Sequence, residues 1–286
     1  MKIYDQIEVM RGASRGQHSA GKTLGLVPTM GALHEGHLSL IRAAKAQCDR
    51  VAVSLFVNPL QFGPDEDLAQ YPRDLVGDRG LLQDEGVDFL FAPGVEEMYP
   101  AGAVSYVTVE GLSEKLCGRS RPGHFRGVTT VVSKLFNIVE PDLAFFGQKD
   151  AAQVAIIRRM VRDLNIPVRI VTCPIQREAD GLAMSSRNAY LDRQQRKSAP
   201  VLYRSLMEVR KSFDQGEHRA QRLIATGERA LAEEPTLRLD YLEIVDPETL
   251  DSVDDISRCA LVAVAAFLGK TRLIDNVVLR PNIRCA

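Results

Sequence analysis

Leu24-Gly25-Leu26-Val27-Pro28-Thr29-Met30-Gly31-Ala32-Leu33-His34-Glu35-Gly36-His37-Leu38 is the stretch that decides the fold of this chain. Residues 24–27 form a short apolar run, as a buried strand requires. Residues 28–31 carry turn chemistry. A helix opens at His34-Glu35-Gly36-His37, with apolar residues at Leu38, Ile41, Ala44 and Cys48. A strand, a tight turn and a helix N-terminus together make a site for phosphate. Imidazoles at i and i+3 can share one helical face. They read as phosphate donors, as exposed surface histidines, or as metal ligands. Metal is the weakest of these. Zinc-protease helices space their histidines at i and i+4, and no third ligand cluster stands out.

Strands and helices alternate on either side of that stretch. Residues 50–57, 88–91, 104–109, 142–146 and 168–171 read as further strands. Residues 35–48, 73–85, 127–139 and 151–164 read as helices. Strands buried on both faces and alternating with helices predict a doubly wound parallel α/β sheet. Ligands of such sheets bind beyond the carboxyl ends of the strands. The His34/His37 turn, the segment 57–63 and the turn Phe146-Gly147-Gln148-Lys149-Asp150 all fall there. After about Gln176 the pattern changes to helices at 194–213 and 220–233, then strands at 238–245, 261–267 and 272–279. This order predicts a smaller α+β domain. The expected division is 1–176 and 177–286.

The chain has 286 residues, 45% hydrophobic and 26% charged, which suits a soluble globular protein. Its 36 basic and 37 acidic residues give a net charge of −1, with no overall drive toward nucleic acid or an anionic membrane. The N-terminus lacks the apolar core of a signal peptide, and the longest apolar run, 260–268, is too short to span a bilayer. Cysteines 48, 117, 173, 259 and 285 are odd in number and show no Cys-x-x-Cys spacing. Reduced thiols in the cytoplasm are expected.

Each polar loop has a functional and a structural reading. Gly147 lets backbone approach a ligand, and Lys149 supplies a point charge for phosphate. Asp150 reads alternatively as an acid favourable to a helix N-terminus. Met184-Ser185-Ser186-Arg187-Asn188 is a polyphosphate clamp or a helix-capping segment. Arg119, Arg121 and Arg126 crowd a basic loop that holds an anion or is simply solvated. Asn58 and Gln61 orient a small polar substrate or satisfy turn backbone. Gln153 lies one turn beyond Asp150 and can face the same crevice.

These residues resemble a known family. Residues 27–37 are similar to the His-x-Gly-His signature of nucleotidylyltransferases. With residues 56–63, 121–125, 146–150 and 180–188, they resemble the pantoate–β-alanine ligase (pantothenate synthetase) family. The motifs run in order from 27 to 192. The C-terminal third is matched mainly by length and pattern.

The resemblance implies a Rossmann-like domain with a C-terminal lid domain, usually as a homodimer. It implies ATP-dependent condensation of (R)-pantoate with β-alanine through a pantoyl adenylate. Carried over, Met30, Gly31, Ala32, Leu33, His34, Glu35, Gly36 and His37 would line the ATP site. His34 and His37 would meet phosphate, with His37 the family's proton donor. Gly147 and Asp150 would hold the ribose side and Lys149 the phosphates, with Gln148 also in the ATP site. Met184, Ser185, Ser186 and Arg187 would close over the polyphosphate, and Gln176 would meet adenine through its backbone. His37, His34, Lys149 and Arg187 are the implied catalytic group. Gln61 and Gln153 would hold pantoate, supported by Asn58 and Arg121, and Gln61 would also meet β-alanine. Mg2+ would ride on the ATP phosphates, with few or no protein ligands and Asp78 as a candidate for a water-mediated contact.

The chain departs from the family pattern at three places. Gln148 stands where many members have Glu. Ala152 stands where a second Gln is frequent. Gln176 replaces a small apolar residue. Three other readings share parts of the motif. Phosphopantetheine adenylyltransferases are usually shorter. Aminoacyl-tRNA synthetases need a basic RNA surface. A non-catalytic nucleotide binder would need fewer donors.

Overall fold

The computed structural model describes residues 1–64 and 66–281, so Cys285 lies outside the described residues. The first half runs β1 (Lys2–Tyr4), α1 (Ile7–Ser19), β2 (Leu24–Thr29), α2 (Glu35–Lys45), β3 (Arg50–Leu55), α3 (Leu75–Asp84) and β4 (Phe89–Phe91). It continues α4 (Val95–Met98), α5 (Cys117–Ser120), α6 (His124–Val139), β5 (Leu143–Gly147), α7 (Ala151–Asp163) and β6 (Arg169–Cys173). The six strands pair in parallel in the order β1-β4-β3-β2-β5-β6. This is the doubly wound sheet that the alternation predicts.

Side chains on these strands alternate between two cores. Leu26, Ala52, Ala144 and Phe146 pack in one cluster with α6 and α7. Val27, Val53, Leu143 and Phe145 pack in another with Leu38 and Ile41 of α2 and Leu82 of α3. Successive strand residues point to opposite faces, so a continuous apolar run buries both.

Strand order reverses between β2 and β5. The two pair only at Gly25↔Leu143 and Leu26↔Ala144. No ladder bonds join them further along, where Val27–Thr29 and Phe145–Gly147 approach their turns. A crevice opens at this switch point, where α/β sheets take their ligands.

The second half contains α8 (Arg193–Ser198), α9 (Val201–Asp214), α10 (Ala220–Leu231), β7 (Leu237–Val245), β8 (Ala260–Leu268) and β9 (Thr271–Leu279). The last three form an antiparallel sheet. Strand β8 is divided by its own alternation. Leu261, Ala263 and Ala265 join the core of the parallel sheet, while Val262, Val264 and Ala266 join α9 and α10.

Three local expectations need correction, and one strand–helix pair was not read. Residues 104–109 are no strand. Thr129 Oγ1 of α6 donates to the Val107 carbonyl at 2.6 Å, and Val107 N–H donates to Thr130 Oγ1 at 3.0 Å, so threonine hydroxyls take the place of a ladder. The stretch 194–213 is two helices, with Pro200 at the junction. Helix α6 begins at His124, just beyond the left-handed Gly123, rather than at 127. The pair β1 and α1 was not legible. Helix α1 contains two glycines and buries only Met10 and Ser14, which weakens both propensity and period.

Candidate active site

His34 stands before helix α2 rather than on its face. Its backbone is extended, with φ −142° and ψ 174°, and it caps the helix. Gly36 N–H donates to His34 Nδ1 at 3.1 Å, and His34 N–H donates to His37 Nδ1 at 3.3 Å. The rings lie 4.1 Å apart between centroids. This is a reciprocal cap built from two imidazoles. Glycine is required between them, because a Cβ at residue 36 would lie 2.8 Å from His34 Cε1.

The cap fixes the tautomers. Each Nδ1 accepts, so each neutral ring carries its proton on Nε2. Burial lowers the His34 pKa to about 4, helped by the Lys149 charge. Burial, His34 and Lys149 lower that of His37 to about 3. Both rings are therefore neutral Nε2–H donors near pH 7.

The turn before the cap is held from α3. Asp78 is 4% exposed, and its two carboxylate oxygens accept Ala32 N–H at 2.9 Å and Leu33 N–H at 2.7 Å. Ala32 takes a positive φ of 50°. Both Asp78 oxygens are engaged by the loop, so it shapes the His34 approach directly. Burial raises its pKa, against the lowering effect of those two bonds.

An inner cavity of about 230 Å3 fills the switch point, lined by Met30, His34, His37, Gln61, Lys149 and Gln153 among others. It adjoins a cleft of about 810 Å3 against the C-terminal sheet, and Arg121, His124, Lys149, Asp150 and Arg187 are among the residues that line both. Val128, Val131 and Phe145 give the inner cavity an apolar side.

Gln61 donates through Nε2 to Met30 Sδ at 2.8 Å. Asn58 lies behind it, 1% exposed. Its Nδ2 donates to Gln61 Oε1 and to the Gly127 carbonyl, and its Oδ1 accepts from Tyr99 Oη–H and Leu60 N–H. The Asn58 amide thus orients Gln61. Gly127 allows α6 this close, since a Cβ there would lie 2.2 Å from the Leu60 carbonyl oxygen.

Lys149 and Asp150 follow β5 in the helical turn Gln148–Asp150. Asp150 makes no capping hydrogen bond to α7, so its carboxylate is not spent on the helix. From the other side, Ser186 Oγ donates to the Ala32 carbonyl at 3.2 Å and ties the 184–187 segment to the histidine turn. Ser185 Oγ accepts Arg187 N–H at 3.3 Å, a true cap, and Ser185 also lines the cavity. Gln176 lines the cavity, while its carbonyl accepts Met184 N–H at 3.0 Å.

Both cavity arginines are paired with one acidic loop. Arg187 donates Nε and Nη2 to Asp67 at 3.0 and 2.8 Å. Arg121 donates Nε and Nη2 to Glu66 at 2.7 and 2.5 Å. Burial opposes ionisation of Asp67 and Glu66, but the guanidinium bonds outweigh it and both pKa values fall. Arg119 instead pairs with Glu243, and Arg126 stacks on Tyr106. Of the basic cluster, only Arg121 faces the cavity.

The remaining carried-over residues lie at the rim or behind it. Glu35 pairs with Arg42 on α2. Gln148 donates to Asn276. Gly31, Ala32 and Leu33 contribute backbone to the turn. Sequence reasoning missed Glu66 and Asp67, and gave no role to His124, which is wedged between Arg121 Nη1 at 3.1 Å and the Gln61 carbonyl at 2.8 Å. Its place beside Arg121 in the 121–125 motif was the available signal.

Among the described residues, no group of three or more His, Cys, Asp or Glu could hold a metal ion, and no helix is long and apolar enough to cross a membrane.

A doubly wound sheet with a cavity lined by two imidazoles, a lysine and two carboxylate-held arginines at its switch point places the chain among the α/β proteins that take a ligand beyond their strand ends. The model of the family described as pantoate-beta-alanine ligase matches residues 2–278, and the chain belongs to that family. It is accordingly an enzyme, an acid–amino-acid ligase. A pantothenate synthetase of Koribacter versatilis (strain Ellin345) is 60% identical over 280 residues, 98% of this chain and 96% of that one. The crystal structure of pantothenate synthetase from Thermus thermophilus is 50% identical, with a TM-score of 0.92 over 97% of this chain and 99% of that one. The pantoate-beta-alanine ligase of Francisella tularensis, complexed with beta-gamma ATP and beta-alanine, is 34% identical, with a TM-score of 0.80 over 97% of each chain.

Proposed function

We propose that this chain joins (R)-pantoate to β-alanine in two steps at the switch-point cavity. A pantoate carboxylate oxygen attacks the α-phosphorus of ATP, the bond to the β-phosphate oxygen breaks, and pyrophosphate leaves. The β-alanine amine then attacks the acyl carbon of pantoyl adenylate, AMP leaves, and the amine gives up a proton. The carrying observation is one cavity lined by His34, His37 and Lys149 together with Gln61 and Gln153. The Francisella relative, in complex with beta-gamma ATP and beta-alanine, supports the same substrates here.

The first barrier is the approach of two anions, so fixed donors around the phosphates are the main requirement. In this reading His34 and His37 donate Nε2–H to the polyphosphate. His37 donates Nε2–H to the departing pyrophosphate oxygen, a bond that strengthens as charge develops there, while its Nδ1 keeps the cap. Lys149 and Arg187 offset phosphate charge, and Ser185, Ser186 and Met184 cover it. Gln61, oriented by Asn58, and Gln153 hold pantoate, with Arg121 beside them. Asp150 and Gly147 take the ribose side and Gln176 the adenine. Mg2+ supplies further charge neutralisation when it arrives with the ATP phosphates.

The reading keeps the division into 1–176 and a 177–286 lid, and includes a homodimer working in the cytoplasm. Pantoate-dependent exchange of labelled pyrophosphate into ATP tests the core of it. Exchange with pantoate alone among carboxylic acids is expected. No exchange by folded protein overturns the ligase chemistry, and exchange with another acid reassigns the substrate.

A further inference from the structure

Strand β9 is apolar except for a pair of adjacent polar residues, Asp275 and Asn276, each 3% exposed, and the polar Thr271 and Arg272 at its start. Burying polar groups is costly unless they are bonded. Asp275 receives Arg177 Nη1 at 2.6 Å and Nη2 at 2.9 Å, and also accepts Asn276 N–H at 2.7 Å. Asn276 turns its amide to the other half of the molecule. Its Nδ2 donates to the Gln148 carbonyl at 2.9 Å and the Lys149 carbonyl at 3.0 Å. Its Oδ1 accepts Gln148 Nε2 at 3.0 Å. Both donors of the amide are used, and all three bonds fall on the turn that carries Lys149.

We propose that Asn276 is a positioning residue for adenylation: from β9 it fixes the Gln148–Lys149 backbone and so aims Lys149 at the phosphates. The proposal rests on the phosphate role of Lys149 given above. A lysine side chain is long and flexible, so its placement depends on its backbone anchor. The Asp275–Arg177 pair braces the strand from which Asn276 reaches. Losing the anchor frees two carbonyls, and a displacement of about 1 Å at a reacting group can cost about 100-fold in rate. The bland alternative is a staple that merely holds two parts of the chain together.

A double-mutant cycle on the single-turnover adenylation rate separates the two. Asn276→Ala is expected to slow adenylation by ~10- to 100-fold. It should leave the reaction of supplied pantoyl adenylate with β-alanine within about 2-fold of wild type, the scatter expected for independent sites. In a Lys149→Ala background, Asn276→Ala should add no more than that same scatter of about 2-fold. An equal loss in both backgrounds overturns the proposal alone. Undiminished adenylation by Lys149→Ala overturns both the proposal and the phosphate role of Lys149. If Asn276→Ala does not fold, Asn276→Ser, which keeps one donor, goes through the same cycle with the same criteria.

Discussion

His37 accepts the backbone N–H of His34 through Nδ1 at 3.3 Å, while the two rings face each other 4.1 Å apart. The helix cap and the cavity donors are therefore the same two groups. Replacing His37 by Ala removes a donor and half of the cap. Adenylation should fall at least ~100-fold in single turnover, on the scale of a lost transition-state donor. Stability should fall by about 1 kcal/mol, the size of a cap. A near-normal single-turnover rate would refute the donor role.

The pH dependence follows from burial. His34 and His37 fall to about 4 and about 3 from an ordinary 6.5. Between those values the unfolded chain binds protons that the folded one does not, so stability rises with pH across the window. The contribution is complete above 6.5 and is lost as pH falls through about 4 and then about 3. Imidazole 15N spectra of the free protein should show Nε2–H tautomers unchanged from pH 8 to about 5. Either ring titrating near 6.5 would contradict this.

Gly36→Ala tests the close approach of the cap. A Cβ would stand 2.8 and 2.9 Å from His34 Cε1 and Nδ1. The ring must move, and with it the Nε2 donor. A drop of ~10-fold or more in adenylation is expected, with a melting temperature lowered only slightly. Wild-type turnover would show that the ring position is not critical.

Asp78→Ala tests the brace beneath the histidine turn. It strands the Ala32 and Leu33 N–H groups and frees a residue held at positive φ. Denaturant unfolding should show a loss of about 2 kcal/mol, the low end for two unsatisfied donors because Ala32 and Leu33 are only half-buried. ATP should also bind more weakly. Asp78→Asn, which keeps one acceptor, should fall between. Equal stability of Asp78→Ala and wild type would overturn the assignment.

The sequence by itself determined the doubly wound parallel sheet and the three polar loops beyond its strand ends, while the reversal of strand order between β2 and β5 came from the tertiary structure. Apolar runs, turn residues and helix periods are properties of neighbouring residues, so they survive without a structure. Residues 104–109 and helix α1 escaped for the same reason: one has strand composition without a strand partner, the other a diluted period. Tertiary structure alone decided who partners whom. Ala32 with Asp78, Arg187 with Asp67, and Gln148 with Asn276 lie 46, 120 and 128 residues apart. Those pairings make Asp78 a brace for the histidine turn, hold Arg187 on a carboxylate and anchor the turn that carries Lys149. A hydrogen bond needs a partner within about 3 Å, and packing, not local pattern, supplies it at such separations.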